Sequence, residues 1–395
     1  MKPNQILVAN IGSTSFKFRL IEMPSERVLA KGGMERIGNA DSTFKYQLGD
    51  EPEQKGAASF PDYSAAIAFV EKILGGFEHL AAVGFKPVMA RGISGTQVMD
   101  ETVLRAMEEI NTLLPAHNPP YIAAVRSFNA CHPALPCIGT FETAFYDEVP
   151  LENRRYPVPL EWETKYGIRR NGFHGASHRY VTQRCAELRG TKNLRMISCH
   201  LGGSSSLACV RNGVAIDSSW GMTPQSGLPQ NNRVGDFDVF ALVYLARDLG
   251  LGIDAVEKAL TTQSGLKGMS GLPSGDVRDL VAAAEAGNAD AITALDIFAG
   301  SIRKYIGQFL VEMNGADVLI FTAGIGENDA PLREKVCADL NFCGLELDLE
   351  VNRKVRATET VISTPRSKIE VRVIPTNEEI IIARNAWQKL SQTSA

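Results

Sequence analysis

The chain has 395 residues, 44% of them hydrophobic and 22% charged, which is enough for two domains that each bury a core. Its net charge of −4 offers no basic surface to nucleic acid or an anionic membrane, so negative charge on a ligand has to be met locally. There is no apolar run of membrane-spanning length and no signal-peptide pattern, so a cytoplasmic protein is expected.

The first strand signal covers 6–9. A polar turn follows with Asn10, Gly12, Ser13, Thr14 and Ser15, and 16–21 alternates as a second strand. Glycine lets backbone approach a ligand closely, and neighbouring amide and hydroxyl donors suit phosphate oxygens. Lys17 is then either a solvated strand lysine or a phosphate contact. Residues 22–60 hold short β-like pieces and polar turns without a functional signal. Helical spacing appears over 63–80, a strand over 80–90 and a helix over 100–114. Pro119 and Pro120 fix the backbone ahead of a further helix, and 138–141 reads as a strand. This alternation predicts an α/β domain with a mixed, mostly parallel sheet. The proline-rich stretch 150–159 is the expected boundary.

His174 and His178 stand four residues apart at the start of a predicted helix over 177–189. That spacing could hold a metal, but no glutamate lies between them, which excludes a zinc-protease motif. A strand at 196–200 runs through Gly202, Gly203, Ser204, Ser205 and Ser206 into a strand at 207–211. The strand, turn, strand unit thus recurs about 190 residues after the first, as expected of two related halves that present phosphate-holding hairpins to a shared cleft. Helices are expected at 238–248, 254–263 and 276–286. A long alanine-rich helix at 290–313 suits a core or a subunit contact. After the strand 318–322, Gly324 and Gly326 permit a tight turn, and Asn328 is the expected cap of the helix that follows. A strand at 370–374 and a final helix at 379–390 complete the pattern. The seven cysteines, an odd number without Cys-x-x-Cys, read as buried free thiols rather than disulfides or a zinc site.

The stretches NIGSTSFKF, AHNPPY, FETAF, GFHGASHRY, CHLGGSSS, NNRVGD, SGLKGMSGLPSGDVRD, FTAGIGEN and VIPTNEE occur in this order along nearly the whole chain. Together they resemble the acetate kinase family (acetate and propionate kinases) of the actin, Hsp70 and sugar-kinase superfamily. The resemblance implies a duplicated two-domain α/β fold, ribonuclease H-like, with an interdomain cleft. Residues 1–149 and 380–395 would form the first domain, and 150–379 the second, nucleotide-binding one. The implied reaction is reversible phosphorylation of acetate, with propionate within reach, by ATP to give ADP and an acyl phosphate. Mg2+ or Mn2+ is the implied cofactor and a homodimer the implied assembly.

By the same resemblance, His174 hydrogen-bonds the phosphoryl group in flight, Arg233 neutralises its charge and Glu142 is a further catalytic residue. Lys86, with Arg91 nearby, would hold the substrate carboxylate, and Val88, Ala116, Phe173 and Pro224 would line the acyl pocket. Ser13, Ser15, Lys17, His117, His200, Gly202, Gly203 and Ser204 would meet phosphates. Asp276, Val277, Arg278, Gly324, Ile325, Gly326 and Asn328 would meet the nucleotide, and Asn10 and Glu378 the metal. The sequence departs from the family pattern where Lys86 replaces an arginine, Glu142 an aspartate and Ala116 a leucine. It departs again where Gly203 and Ser204 replace Asn-Gly and where Asn231 and Asn232 replace Gly-Thr. Two alternatives stand beside an acetate kinase: a carboxylate kinase preferring propionate or butyrate, and a non-catalytic nucleotide-binding regulatory protein.

Overall fold

The computed structural model describes residues 3–115 and 117–393. They divide into two compact units, Met1–Asp147 with Asn377–Ala395, and Glu148–Thr376. The first unit carries strands β1 (Gln5–Gly12), β2 (Ser15–Glu22), β3 (Arg27–Glu35), β4 (Thr43–Leu48), β5 (Gln54–Ala57), β6 (Leu80–Phe85), β7 (Thr96–Val98) and β8 (Cys137–Thr140). They form one sheet in the order β5-β4-β3-β2-β1-β6-β8-β7. The second unit carries β9 (Arg195–His200), β10 (Ser206–Arg211), β11 (Val214–Ser218), β12 (Val318–Thr322), β13 (Thr360–Val361) and β14 (Glu370–Val373), ordered β11-β10-β9-β12-β14-β13.

The duplication is visible in the pairing. In each sheet three consecutive strands run as antiparallel neighbours, and two later strands are added in parallel on the other side of the first. Short turns suffice for the antiparallel part, whereas each parallel addition needs a longer crossover carrying helices. The expectation of mostly parallel sheets is therefore corrected: only β1–β6 and β6–β8 in one sheet, and β9–β12 and β12–β14 in the other, are parallel.

Side-chain alternation explains the hairpins. Along β2, Phe16, Phe18 and Leu20 are buried while Lys17 between them is exposed. Strand β12, Val-Leu-Ile-Phe-Thr, is buried at every position, as a central strand covered on both faces must be. Two predicted elements are shorter than their periodicity. The first helix spans Tyr63–Leu74, opened by the Asp62 cap and closed by Gly75 in the left-handed region. Strand β6 stops at Phe85 because Pro87 has no N–H to give a ladder.

The final helix, Glu378–Thr393, buries Ile380, Ile381, Ile382, Ala383 and Ala386 within the first unit. It lies so close to β6 that a Cβ on Gly84 would come within 2.9 Å of the Ile382 side chain. The long helix Ala289–Glu312 turns Ala294, Phe298, Ile302, Ile306 and Phe309 into the core of the second unit, so its apolar stripe is used within the chain. The same helix leaves Ile292, Ile297 and Val311 exposed, and a run of exposed large apolar side chains occurs at Phe237, Val239, Phe240, Tyr244, Leu249, Leu251 and Ile253. The cysteines are free, and five of them, Cys137, Cys185, Cys199, Cys209 and Cys337, are buried; Cys131 is exposed, which corrects the reading of uniformly buried thiols.

Candidate active site

In the first unit, β1 and β2 present the turn that holds Ser13 and Thr14. Ser13 is exposed, Ser15 half-buried, and Lys17 ion-pairs with Glu35 at 3.9 Å. Asn10 sits at the end of β1, where its Oδ1 accepts a hydrogen bond from the Tyr121 hydroxyl at 3.3 Å. Asn10 and Lys17 both line a hollow of about 750 Å3 on this sheet.

Beside that turn a charged cluster gathers three distant parts of the chain. Lys86 follows β6, Glu142 opens the short 3-10 turn after β8, and Glu378 opens the final helix. The Lys86 ammonium lies 2.8 Å from Glu142 Oε1 and also donates to Glu378 Oε2. The Glu142 amide donates to the Pro87 carbonyl at 2.9 Å, which fixes the two segments against each other. Burial opposes the Lys86 charge, but Glu142 and Glu378 outweigh it and hold the ammonium protonated well above the usual lysine range. Tyr121 closes the cluster, its phenol pushed up to about 12 by burial.

Arg91 is not part of this cluster. It lies at the surface, 3.5 Å from Glu109, because the chain turns away after Pro87. His117 is exposed at the start of the helix Asn118–Cys131 and makes no side-chain cap bond there. Its neighbour Asn118 is buried and donates to the carbonyls of Met89 and Met107, tying down the segment that carries half-buried Val88. Ala116 lies outside the described residues.

In the second unit, His174 caps the helix Gly175–Arg189 with φ 56, a left-handed conformation that histidine tolerates better than most residues. Its ring stacks on His200 with centroids 4.0 Å apart and meets the edge of Trp220 at 5.4 Å. Phe173, also packed edge-to-face on Trp220, and Pro224 are both buried. His174 Nδ1 lies 2.8 Å from Ser206 Oγ, and His200 Nδ1 lies 2.8 Å from Ser177 Oγ. Strand register explains the grouping: Ser198 and His200 share a face of β9, and Ser206 pairs directly with His200 across the ladder. His178 is fully buried between Ser198 and Ser206, and burial, then His200, push it well below the usual histidine range. Both of its ring nitrogens are engaged by serine hydroxyls, which argues against the metal-binding reading of the His174 and His178 spacing.

Arg233 donates to the Pro224 carbonyl at 2.8 Å and to Ser204 Oγ, which fastens it to the glycine-serine loop. Burial draws it down to about 10, so it remains a cation at neutral pH. Its own loop passes so close to the SGLKGMSGLPSGD segment that a Cβ on Gly275 would fall 1.9 Å from the Asn231 carbonyl oxygen. Next to it a cavity of about 730 Å3 is lined by Gly202, Gly203, Asp276, Val277, Arg278, Gly324, Ile325 and Asn328. This brings together the second hairpin and both of the expected nucleotide segments. Asn328 is corrected in one respect. It ends the helix Ala323–Asn328 and donates to the Gly324 carbonyl, while Asp329 caps the helix after it. The left-handed residue at this turn is Ala323, and Gly326 instead packs closely on β9.

The sequence reading missed Gln230, whose amide clamps the Ser205 backbone, and Val281 and Pro331 in the cavity wall. It also missed Ser198 and Ser206 as partners of the histidines. The glycine-serine run had marked Ser206 as part of the second phosphate-holding turn, whereas its hydroxyl lies against His174 and His178.

A model of the acetokinase family matches residues 5–384. The chain belongs to that family. An acetate kinase of Geobacillus kaustophilus (strain HTA426) is 43% identical over 393 residues, covering 97% of this chain and 98% of the relative. The crystal structure of Porphyromonas gingivalis acetate kinase is similar at 37% identity and TM-score 0.89, over 98% of this chain and 100% of that one. A propionate kinase from Francisella tularensis is similar at 30% identity and TM-score 0.89, over 97% and 98% of the two chains. For this acetokinase the two departures at Lys86 and Glu142 are physically matched. A compact ammonium replaces a guanidinium fork, and a carboxylate one methylene longer reaches it at 2.8 Å.

Proposed function

We propose that this acetokinase transfers the γ-phosphoryl group of ATP to acetate, reversibly, giving ADP and acetyl phosphate by direct in-line displacement. The observation that carries the reading is the cavity in which Gly202 and Gly203 meet Asp276, Val277, Arg278 and Gly324, with Arg233 fastened to the adjoining loop through Ser204. A carboxylate oxygen forms the new O–P bond as the bond from phosphorus to the β–γ bridging oxygen breaks. The acceptor is already an anion at neutral pH, so no general base is needed. The work left to the protein is alignment and charge. His174 hydrogen-bonds the phosphoryl oxygens, and Arg233 meets their negative charge with a planar fork that lysine lacks. Ser13, Ser15 and Lys17 contact phosphates from the first hairpin. His117 and His200 are the secondary contacts. Lys86 is the candidate contact for the acceptor carboxylate once the excess negative charge of Glu142 and Glu378 is offset by a metal, and Glu142 acts through Lys86 by holding its ammonium in place. Arg91, paired at the surface, is left out of the clamp.

The Lys86 cluster also suits a divalent metal. Glu142 and Glu378 carry one negative charge more than Lys86 offsets, and their donors are all oxygen, as Mg2+ prefers. Among the described residues no group of three or more His, Cys, Asp or Glu forms a closed metal cage. Glu378 with Asn10 would hold the ion as an open site completed by water and phosphate oxygens, Mn2+ serving in its place. Bound there, the metal supplies charge neutralisation to the phosphates.

Substrate choice extends beyond acetate in this reading. By the family resemblance, an alanine at 116 in place of leucine would make room for one or two methylenes, each worth about 1–3 kcal/mol of discrimination. Propionate should fit, with butyrate behind it. Hydroxamate trapping of the acyl phosphate, run with acetate, propionate and butyrate, tests both points. Loss of the propionate activity in Ala116→Leu is the expected control. Nucleotide binding without turnover of any of the three acids would reject the reading in favour of a regulatory protein.

The same proposal includes a homodimer. Seven apolar side chains between Phe237 and Ile253 are exposed within one short stretch of the chain, and this stretch is the proposed interface. Sedimentation at micromolar concentration should give a dimer for the native chain and a monomer for Phe240→Asp; a monomeric native chain rejects it. No helix among the described residues is long and apolar enough to cross a membrane, and free cysteines with ATP as substrate fit the cytoplasm.

A further inference from the structure

Behind His174 runs a chain of buried hydrogen bonds that the roles above leave unused. Ser198 Oγ lies 2.8 Å from His178 Nδ1, His178 Nε2 lies 2.9 Å from Ser206 Oγ, and Ser206 Oγ lies 2.8 Å from His174 Nδ1. Ser198, His178 and Ser206 are each 0% exposed. The links come from β9, from the first turn of the helix Gly175–Arg189 and from β10, so rigid elements hold every one of them.

We propose that Ser198, His178 and Ser206 are positioning residues that lock His174 in a single neutral tautomer, with its proton on Nε2. The argument follows the protons. A hydroxyl has one proton to donate and can accept from others, and a neutral imidazole has one donor and one acceptor nitrogen. His178 Nδ1 is the side-chain hydrogen-bond partner of Ser198. A buried hydroxyl that withholds its proton loses about 1–3 kcal/mol, so Ser198 donates and His178 Nδ1 accepts. The His178 proton is then on Nε2 and is donated to Ser206 Oγ. Ser206, having accepted from His178, turns its own proton to His174 Nδ1. His174 therefore carries its proton on Nε2, the nitrogen away from Ser206.

The reverse order would strand the Ser198 hydroxyl. A charged His174 would strand the Ser206 hydroxyl between two N–H donors. Both are disfavoured by the same burial. The consequence is that His174 Nε2 is a donor before substrate arrives, as a group meant to bond phosphoryl oxygens has to be. A histidine free to choose its tautomer would spend part of its time with a lone pair facing that charge.

The inference rests on the assignment of His174 to the phosphoryl group, but its main test does not use activity. In the native chain labelled with 15N histidine, the His174 signals, identified by their loss in His174→Ala, should show a protonated Nε2 and an unprotonated Nδ1. His178 should show the same pattern. A protonated Nδ1 on His174, or a mixture of tautomers, overturns the relay whether or not the chain is a kinase. Kinetics supply the second readout. Ser198→Ala should lower kcat about 10-fold with KM for ATP unchanged, as loss of an outer partner of a working histidine does. Ser198→Thr, which keeps the hydroxyl, should recover most of the loss. An Ala variant with native kcat, or a Thr variant no better than the Ala, counts against the proposal.

Discussion

His174→Ala is expected to lower kcat by about 10² or more while ADP and ATP bind with nearly native affinity. The reason is where the ring sits. It stacks on His200 and meets the edge of Trp220, and its Nδ1 is engaged by Ser206. The nucleotide cavity is walled by other residues, among them Asp276, Val277 and Ile325. In the proposed roles, truncating His174 removes a donor to the phosphoryl group and leaves the residues that line the cavity untouched. Steady-state kinetics combined with calorimetric titration of ADP separates the two quantities. Weakened ADP binding with unchanged kcat would place His174 in ground-state binding instead. An equal fall in stability and activity would make it a packing residue.

The second large effect is on folding. Lys86→Met should cost the first unit about 3–5 kcal/mol, because removing the ammonium leaves Glu142 and Glu378 facing each other without their shared cation. Glu142 is 5% exposed, so water cannot replace the lost charge there. Lys86→Arg should recover much of the loss, since a guanidinium can serve two carboxylates at once. Mg2+ should stabilise Lys86→Met more than the native chain, by mass action on a site that has lost its resident cation. Denaturant unfolding with and without Mg2+ measures all three. A Lys86→Met variant of native stability would mean that the two glutamates are protonated or solvated, and the cluster would lose its standing as a cation site.

How much of this was legible in the sequence depended on whether the partners were near in the chain. Both hairpins were, since a glycine-serine turn between alternating strands needs only local chemistry. The cavity in the second unit was legible in part: Gly202 and Gly203 belong to the second hairpin and Gly324 to the strand-to-helix turn after β12, whereas the segment at Asp276 was assigned only through the family resemblance. Arg91, which the sequence left as an alternative to Lys86, was harder to place for the opposite reason. Proximity to Lys86 in sequence suggested a shared task, but Pro87 ends the strand and the chain leaves the cluster before Arg91. His178 was drawn into a metal motif by its spacing from His174. The residue that decides its role is Ser198, on a different element and 20 positions away. The exposed apolar surface between Phe237 and Ile253 was read as ordinary helix, since periodicity alone does not say whether a partner face exists within the chain.

The path of the chain through the two units has a consequence for biosynthesis. The second unit is continuous, Glu148–Thr376, whereas the first is closed by a helix that follows it in sequence. In order of synthesis the second unit is therefore complete in sequence before the first has Ile380, Ile381 and Ile382, which cover the β6 surface around Gly84. Until Glu378 emerges, Lys86 has Glu142 alone as its ion-pair partner within that cluster. The helix Glu378–Thr393 thus brings the closure of the first core and the second carboxylate of the charged cluster in one step. A nascent chain halted before it would hold every strand of the second unit and a first unit that still lacks the second carboxylate of its charged cluster.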